Sequence, residues 1–199
     1  MGVSRNLKLD SIKGFLIVLV VFGHFIEPHI DNSLFLGAYL SIYSFHMPLF
    51  VILSGYFFNP FQPKEKFRWN LMRLCETFTV FQLLRFVLLA RNGDVSISSV
   101  IEPYWILWYI FSLIVWRLVT KGLYSKFNSL NLKQLLAFAL CASLVAGVVP
   151  LRNELAFQRT FYYYPFFIIG MIVKRESVGE FSWKLIGGYS LGNQFVMSW

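Results

Sequence analysis

The feature that most constrains this chain is a series of long apolar runs with few interruptions. The run "IKGFLIVLVVFGHFI" is continuous and does not alternate in polarity, and later runs behave alike. A helix needs ~20 mostly apolar residues to cross a bilayer, whereas barrel strands show ~10 residues of alternating polarity. The pattern therefore predicts membrane-spanning helices. We predict six full spans, at residues 12–26, 34–58, 74–90, 103–119, 134–150 and 157–173, and part of a seventh from residue 181.

Composition points to the same class of protein. Of the 199 residues, 57% are hydrophobic and 14% are charged, whereas soluble domains carry roughly 25% charged residues. So few charges could not cover the surface of a water-soluble globule, and disordered chains have low hydrophobicity. The sequence therefore predicts an all-α, polytopic transmembrane helix bundle, with residues 1–199 forming one integral-membrane domain.

The distribution of Lys and Arg predicts the orientation of the spans. Of the 18 basic residues, 14 fall in the loops and flanks on one side, three fall on the other, and Arg85 lies inside the third span. Because basic loops stay in the cytoplasm, the N-terminus and the 59–73 loop are predicted to be cytoplasmic. The cations form small groups instead of one patch, so nucleic acid is not expected as a partner.

Cysteine usage gives no sign of a metal site. The two cysteines, Cys75 and Cys141, sit in or beside apolar runs without metal-ligand spacing. We interpret both as small residues in packed helices, and no metal is expected.

The first span contains two polar residues on one face. Lys13 and His24 are eleven residues apart, which is ~1100° of rotation and within ~20° of three full turns. They are ~16 Å apart along the axis, and Asp10 is spaced to pair with Lys13. The alternative is structural: a lysine that extends to the interface and a histidine bonded to a neighbouring helix.

The second span combines a histidine with a helix-distorting residue. His46 precedes Pro48, which cannot donate to the helix ladder and predicts a kink. Ser54 and Gly55 follow, and a glycine lets another helix or a ligand approach closely. The alternative is a kinked packing helix with one satisfied histidine.

Aromatic residues cluster near two predicted span ends. Trp105 and Trp108 open the fourth span, and residues 162–164, all tyrosine, open the sixth. Both groups fit an aromatic belt at a membrane interface. Pro165 and Gly170 predict an irregular sixth helix.

Four segments in order resemble the acyltransferase family 3 membrane proteins, above all the fucose 4-O-acetylase-type sugar O-acetyltransferases. They are "LDSIKGFLIVLVVFGH", "FHMPLFVILSGYFF", "YWILWYIFSL" and "FYYYPFFIIGMIVKR", and they extend over residues 9–175. The first matches the basic residue, ten residues and histidine of the family.

The resemblance implies an enzyme of the cell (inner) membrane that moves an acyl group, usually acetyl from cytoplasmic acetyl-CoA, to a hydroxyl of an envelope or exported saccharide. No bound cofactor is expected. His24 matches the essential histidine of the family, His46 the histidine of its second motif, and Lys13 its paired basic residue. Arg73 and Arg68 stand where inner-loop arginines would meet coenzyme A phosphates. The residues expected to line or shape the site are Asp10, Pro48, Ser54, Gly55, Arg85 and Trp108.

Length is the main departure from the family. Its members have more spans than this chain, which therefore resembles a truncated or shortened relative lacking the C-terminal spans. Two alternatives to the enzyme stay open. Kinked spans with buried polar residues also suit a small transporter-like protein, although the halves share no evident pattern. The other alternative is a non-catalytic remnant.

Overall fold

The computed structural model describes residues 7–92, 107–127, 130–148 and 156–187, and all regular structure in these ranges is helical. The predicted all-α class is therefore confirmed. A short 3₁₀ helix at Glu27–His29 joins the first two helices. The six α-helices are α1 (Leu7–Ile26), α2 (Ser33–Phe57), α3 (Lys64–Asn92), α4 (Leu107–Lys126), α5 (Leu132–Val148) and α6 (Phe157–Gly187).

Two of the helical stretches in the described ranges are long and apolar enough to cross a membrane. They are Leu9–His29, which includes most of α1, and Ser33–Phe57, which is α2. α5 is apolar but shorter. The six full spans and the partial seventh therefore stay a prediction.

The start of α3 and the end of α6 differ most from the predicted spans. α3 begins at Lys64, ten residues before the third span, so the basic end of the predicted inner loop is helical. Pro63 marks the start, because its carbonyl accepts the first helical bond from the Phe67 amide. α6 continues without a break to Gly187, beyond the predicted end of the sixth span and into the predicted seventh. The segment after residue 173 is rich in residues compatible with a helix, and no proline interrupts it.

Some of the predicted segments lie outside the described residues. These are the start of the fourth span at 103–106, which includes Trp105, the end of the fifth at 149–150, and the seventh after residue 187.

The closest helix crossing joins α2 to α6 through two glycines. A Cβ placed on Gly55 would overlap the backbone carbonyl of Phe167, and one placed on Gly170 would overlap the carbonyl of Ile52. The two backbones therefore touch at this crossing, as small residues permit in membrane helices. The close approach predicted for Gly55 is confirmed, and Gly170 is its counterpart on α6.

A ladder of buried hydrogen bonds ties α4 to α6. Ser112 bonds the Thr160 hydroxyl at 2.7 Å, and the Trp116 indole N–H donates to the Thr160 carbonyl at 2.7 Å. One turn further along, Thr120 bonds the Tyr164 hydroxyl at 3.0 Å. The three α4 residues are spaced by four and so share one helix face. α6 is thereby fixed between α2, α4 and α5, whose apolar residues form the core around it.

The environments predicted for Tyr164 and for the two cysteines are wrong. Tyr164, predicted to lie in an interface belt, is only 3% exposed, because its hydroxyl bonds Thr120 on α4 inside the bundle. Cys75 and Cys141, predicted to be small residues in packed helices, are exposed. Both cysteines lie on faces of α3 and α5 that no described helix covers.

α1 lies antiparallel along α2. Near its start, the Lys13 ammonium sits 3.7 Å from the centroid of the Phe57 ring at the end of α2. Near its end, His24 contacts Tyr43 in the first half of α2. Lys13 and His24 therefore face the same helix, as their spacing predicts. α3 packs against α4.

Candidate functional site

A cavity of about 1030 Å³ opens among five helices. Its volume is at the upper end of small-molecule pockets. The C-terminal half of α1, the middle of α2 and the first turn of α4 form one part of the wall, and the end of α5 and the start of α6 form the rest. His24 and His46, the two histidines singled out from the sequence, both line it.

Tyr43 lies between these two histidines. Its hydroxyl is 3.3 Å from Nδ1 of His24, and its ring meets the His46 ring edge-to-face at a centroid distance of 4.7 Å. The 3₁₀ turn and the antiparallel packing of α1 on α2 bring both histidines to one cavity.

Glu27 is the second partner of His24. Its carboxylate oxygen lies 3.1 Å from Nδ1 of the ring. A carboxylate only accepts hydrogen bonds, so this contact assigns a proton to Nδ1. The remaining nitrogen, Nε2, is then the proton-accepting atom of a neutral His24.

His46 is held by the backbone. Its Nδ1 donates to the Ile42 carbonyl at 2.7 Å, one helical turn earlier, and the residue is 1% exposed. A carbonyl also only accepts, so the proton is again on Nδ1. The ring is fixed in position and lies deeper than His24.

Two groups of aromatic rings line the cavity. On α2, Tyr39 and Tyr43 stack at a centroid distance of 4.1 Å. On the facing wall, Trp108 and Tyr163 pack at 5.4 Å, and the Arg159 guanidinium lies 5.7 Å from the Trp108 ring. Trp108 is only 8% exposed. Its assignment to an outer aromatic belt is therefore wrong, because α6 covers it, whereas its assignment as a lining residue agrees with the cavity.

The predicted donor residues are spread over two helices. Lys13 pairs with Asp10 at 3.6 Å, as predicted, and rests on Phe57. Arg68 and Arg73 are exposed side chains on α3. These contacts do not bring the three cations into one cluster.

Other cations gather at the end of α2. The Lys121 ammonium donates to the carbonyls of Pro60 and Gln62 at 3.1 and 2.9 Å, and Lys174 donates to the Phe58 carbonyl at 3.5 Å. Lys174 satisfies the carbonyl of the residue that caps the C-terminal end of α2, and Lys121 satisfies two carbonyls of the connection between α2 and α3. They hold the short connection that leads into α3 and its arginines.

The remaining predicted residues line the bundle interior or lie apart from the cavity. Ser54 shares a short hydrogen bond with the hydroxyl of Tyr109, a cavity residue. Pro48 stands inside a helix that continues past it, and Arg85 is half-buried on α3. Among the described residues no cluster of His, Cys, Asp and Glu could hold a metal ion.

Comparison with known proteins assigns the chain to a family. The model of the acyltransferase domain of acyltransferase family 3 matches residues 6–189. The chain belongs to this acyltransferase family. The resemblance carried by the four sequence segments is thus confirmed.

Two curated proteins are similar to this chain over most of the length of the chain. Nodulation protein NolL of Sinorhizobium fredii (strain NBRC 101917 / NGR234) is 29% identical over 85% of this chain and 49% of its own length. Nodulation protein NolL of Mesorhizobium japonicum (strain LMG 29417 / CECT 9101 / MAFF 303099) is 29% identical over 85% of this chain and 48% of its own. The chain spans about half the length of these relatives. No solved structure matches it.

The sequence analysis did not identify several of the residues that line the cavity. Glu27 could have been found, because a carboxylate three residues after His24 shares its helical face. Tyr43 precedes His46 by three residues and offered a weaker signal of the same kind. No signal in the sequence pointed to Tyr109 or Arg159, because only the packing of α4 and α6 brings them to the cavity.

Proposed function

We propose that this protein is a membrane O-acyltransferase that moves an acetyl group from acetyl-CoA to a hydroxyl of an envelope or exported saccharide. The observation that carries the proposal is the cavity. His24 and His46 come from two separate segments of the family resemblance, and both line this one space with Tyr43 between them. A general base beside a substrate-sized cavity is what acyl transfer to a hydroxyl requires.

The bilayer is the environment that the surface of the protein favours. Large apolar side chains are exposed along α1, α2, α3 and α5, among them Val18, Leu40, Leu84 and Leu144. Apolar surface of this extent is unfavourable in water and neutral in lipid. We propose a multi-pass protein of the cell (inner) membrane with a cytoplasmic N-terminus, so that the cavity opens on the side away from the cytoplasm.

The proposed reaction is a single displacement at the acetyl carbonyl. His24 takes the proton of the acceptor hydroxyl, and the hydroxyl oxygen attacks the thioester carbon. The C–S bond then breaks, and the coenzyme A thiolate leaves and recovers the proton from the imidazolium. His46, buried and held at the Ile42 carbonyl, positions the donor or the base.

The aromatic walls suit a saccharide acceptor. Trp108 and Tyr163 on one side and Tyr39 on the other offer flat apolar faces, as aromatic-lined ligand pockets do. Gln158 and Arg159 add hydrogen-bond donors beside them. The aromatic rings can pack against the apolar faces of a sugar ring, and the hydrogen-bond donors can orient its hydroxyls.

The donor would be bound from the cytoplasmic end of the bundle. Lys13, Arg73 and Arg68 are proposed to contact the phosphates of coenzyme A, because such ionised pairs form strong hydrogen bonds. Lys121 supports this arrangement indirectly, since it fixes the connection from which α3 starts.

The test is acetyl transfer in membranes from cells that express the chain. Labelled acetyl-CoA is supplied, and acetate released from the saccharide fraction by mild alkali is measured. Removing a positioned general base lowers rates about 10²–10⁴-fold, so His24→Gln should lose at least ~99% of the activity. The matched control is His29→Gln, because His29 lies in the adjacent 3₁₀ turn but outside the cavity lining.

Two outcomes would contradict the proposal. A wild-type chain that transfers no acetate above membranes lacking it would favour the non-catalytic alternative. A His24→Gln variant that retains more than about a tenth of the rate, well short of the loss expected for a base, would show that His24 is not the base.

A further inference from the structure

The carboxylate of Glu27 is the one acidic group among the described residues that line the cavity. It lies at the junction of α1 and the 3₁₀ turn, three residues after His24, and its oxygen is 3.1 Å from Nδ1. The pair is partly shielded, with 24% of the His24 side chain and 37% of the Glu27 side chain exposed. Ion pairs on a fully exposed surface contribute little, whereas partial burial beside a cavity strengthens them.

We propose that Glu27 is the positioning residue of this acyl-transfer site: its carboxylate fixes the His24 ring with Nε2 as the reacting nitrogen and stabilises the imidazolium formed during transfer. The inference rests on the proposed function. It distinguishes the two histidines, because His46 has only a backbone carbonyl at the equivalent nitrogen. A carboxylate balances the positive charge that a base acquires, and a neutral carbonyl does so less well.

Tyr43 completes the arrangement around Nδ1. Its hydroxyl is 3.3 Å from the same nitrogen that Glu27 contacts, so the N–H is shared between a carboxylate and a hydroxyl oxygen. Tyr43 also packs on the His46 ring. The ring of His24 is therefore held from one edge by two elements, α2 and the 3₁₀ turn.

In the proposed reaction Glu27 stabilises charge and takes no part in the proton transfers. The acceptor proton moves to Nε2, the acceptor oxygen bonds to the acyl carbon, the thiolate leaves, and the proton passes from Nε2 to the thiolate. Glu27 stays ionised throughout and takes no proton. Its loss should therefore lower kcat and leave the binding of acetyl-CoA unchanged.

The first measurement compares Glu27→Gln with Asp31→Asn in the membrane assay. The two variants each remove one negative charge from the same end of the protein, and Asp31 is exposed and not part of the cavity lining. Losing one charge-assisted hydrogen bond should lower kcat about ten- to a hundredfold in Glu27→Gln, with the KM for acetyl-CoA within about twofold, while Asp31→Asn keeps the wild-type values. Adding Glu27→Gln to His24→Gln should cause no further loss, because Glu27 acts through His24.

The second measurement does not depend on turnover. Diethyl pyrocarbonate modifies neutral imidazole nitrogens, and mass spectrometry follows each of the three histidines separately. The reaction is run at alkaline pH, where imidazoles are neutral in every variant. Under these conditions the modification of His24 should slow severalfold in Glu27→Gln, because Nε2 loses the nucleophilicity that the carboxylate at Nδ1 lends it. Asp31→Asn should not change the rate, and His29 is the internal reference.

Equal kcat and equal His24 modification in Glu27→Gln and Asp31→Asn would overturn the inference. An additional loss in the double variant as large as in the single one would also overturn it, since Glu27 would then act independently of His24. Full activity of His24→Gln would instead contradict the proposed function, while the modification rates still decide whether Glu27 controls His24.

Discussion

Replacing Gly55 by alanine tests the closest contact in the fold. The new methyl carbon would overlap the backbone carbonyl of Phe167, which cannot rotate away as a side chain can. α2 and α6 must therefore separate locally. Overpacking of this kind costs about 1–3 kcal/mol, and contact with backbone favours the upper end of that range. Alanine recovers about 1 kcal/mol of helix propensity relative to glycine, so the net loss of stability should be about 2 kcal/mol.

Gly14→Ala is the matched control. Gly14 also lies inside an apolar helix, and a Cβ built there meets no atom within 4 Å. This variant should gain up to about 1 kcal/mol. The two variants are therefore expected to differ by about 3 kcal/mol in opposite directions, although each adds the same methyl group.

Unfolding by increasing fractions of SDS in mixed micelles measures the difference. Tryptophan fluorescence reports on the crossing, because the Trp116 ring packs 5.7 Å from the ring of Phe167. The double variant Gly55→Ala, Gly170→Ala should cost less than the sum of the two single changes, since the first methyl already separates the helices. Gly55→Ala as stable as Gly14→Ala would refute the close crossing of α2 and α6.

Two further predictions concern the cytoplasmic end. In a variant without Cys75 and Cys141, Asp31→Cys should react with a membrane-impermeant maleimide in intact cells and Lys66→Cys should not, because the basic loop is predicted inside; the reverse pattern would exclude the proposed orientation. Lys13→Met should weaken the binding of acetyl-CoA by about 1–3 kcal/mol if one charge-assisted contact is lost. Equal affinity in a direct binding measurement would remove Lys13 from the donor site.

Much of the local structure could be read from the sequence, because it depends on short-range pattern. The apolar runs predicted helices, and six helices stand where six spans were predicted. The spacing of Lys13 and His24 predicted a shared face, and both contact α2. The Lys13–Asp10 pair followed from a separation of three residues. Helix ends were less accurate, as α3 and α6 show, because polar helix formers continue a helix beyond its apolar part.

The environment of a side chain needed the tertiary structure. Trp108 and Tyr164 are of the residue types that are typical of a membrane interface belt, yet the packing of α4 against α6 buries both. Nothing in the sequence around Tyr109 indicates that it bonds Ser54, which is 55 positions earlier. Such contacts depend on which helices are neighbours, and helical periodicity specifies only which residues share a face.

The sequence by itself therefore determined the class of fold, the family and the two histidines on which the proposed chemistry depends, because these follow from apolar runs and ordered short motifs. The tertiary structure alone decided that His24 and His46 line one cavity, with Tyr43 between them and the Trp108–Tyr163 wall opposite. The reason is physical. A helix fixes the direction of its own side chains, whereas the Gly55–Gly170 crossing and the α4–α6 hydrogen bonds decide what those side chains face.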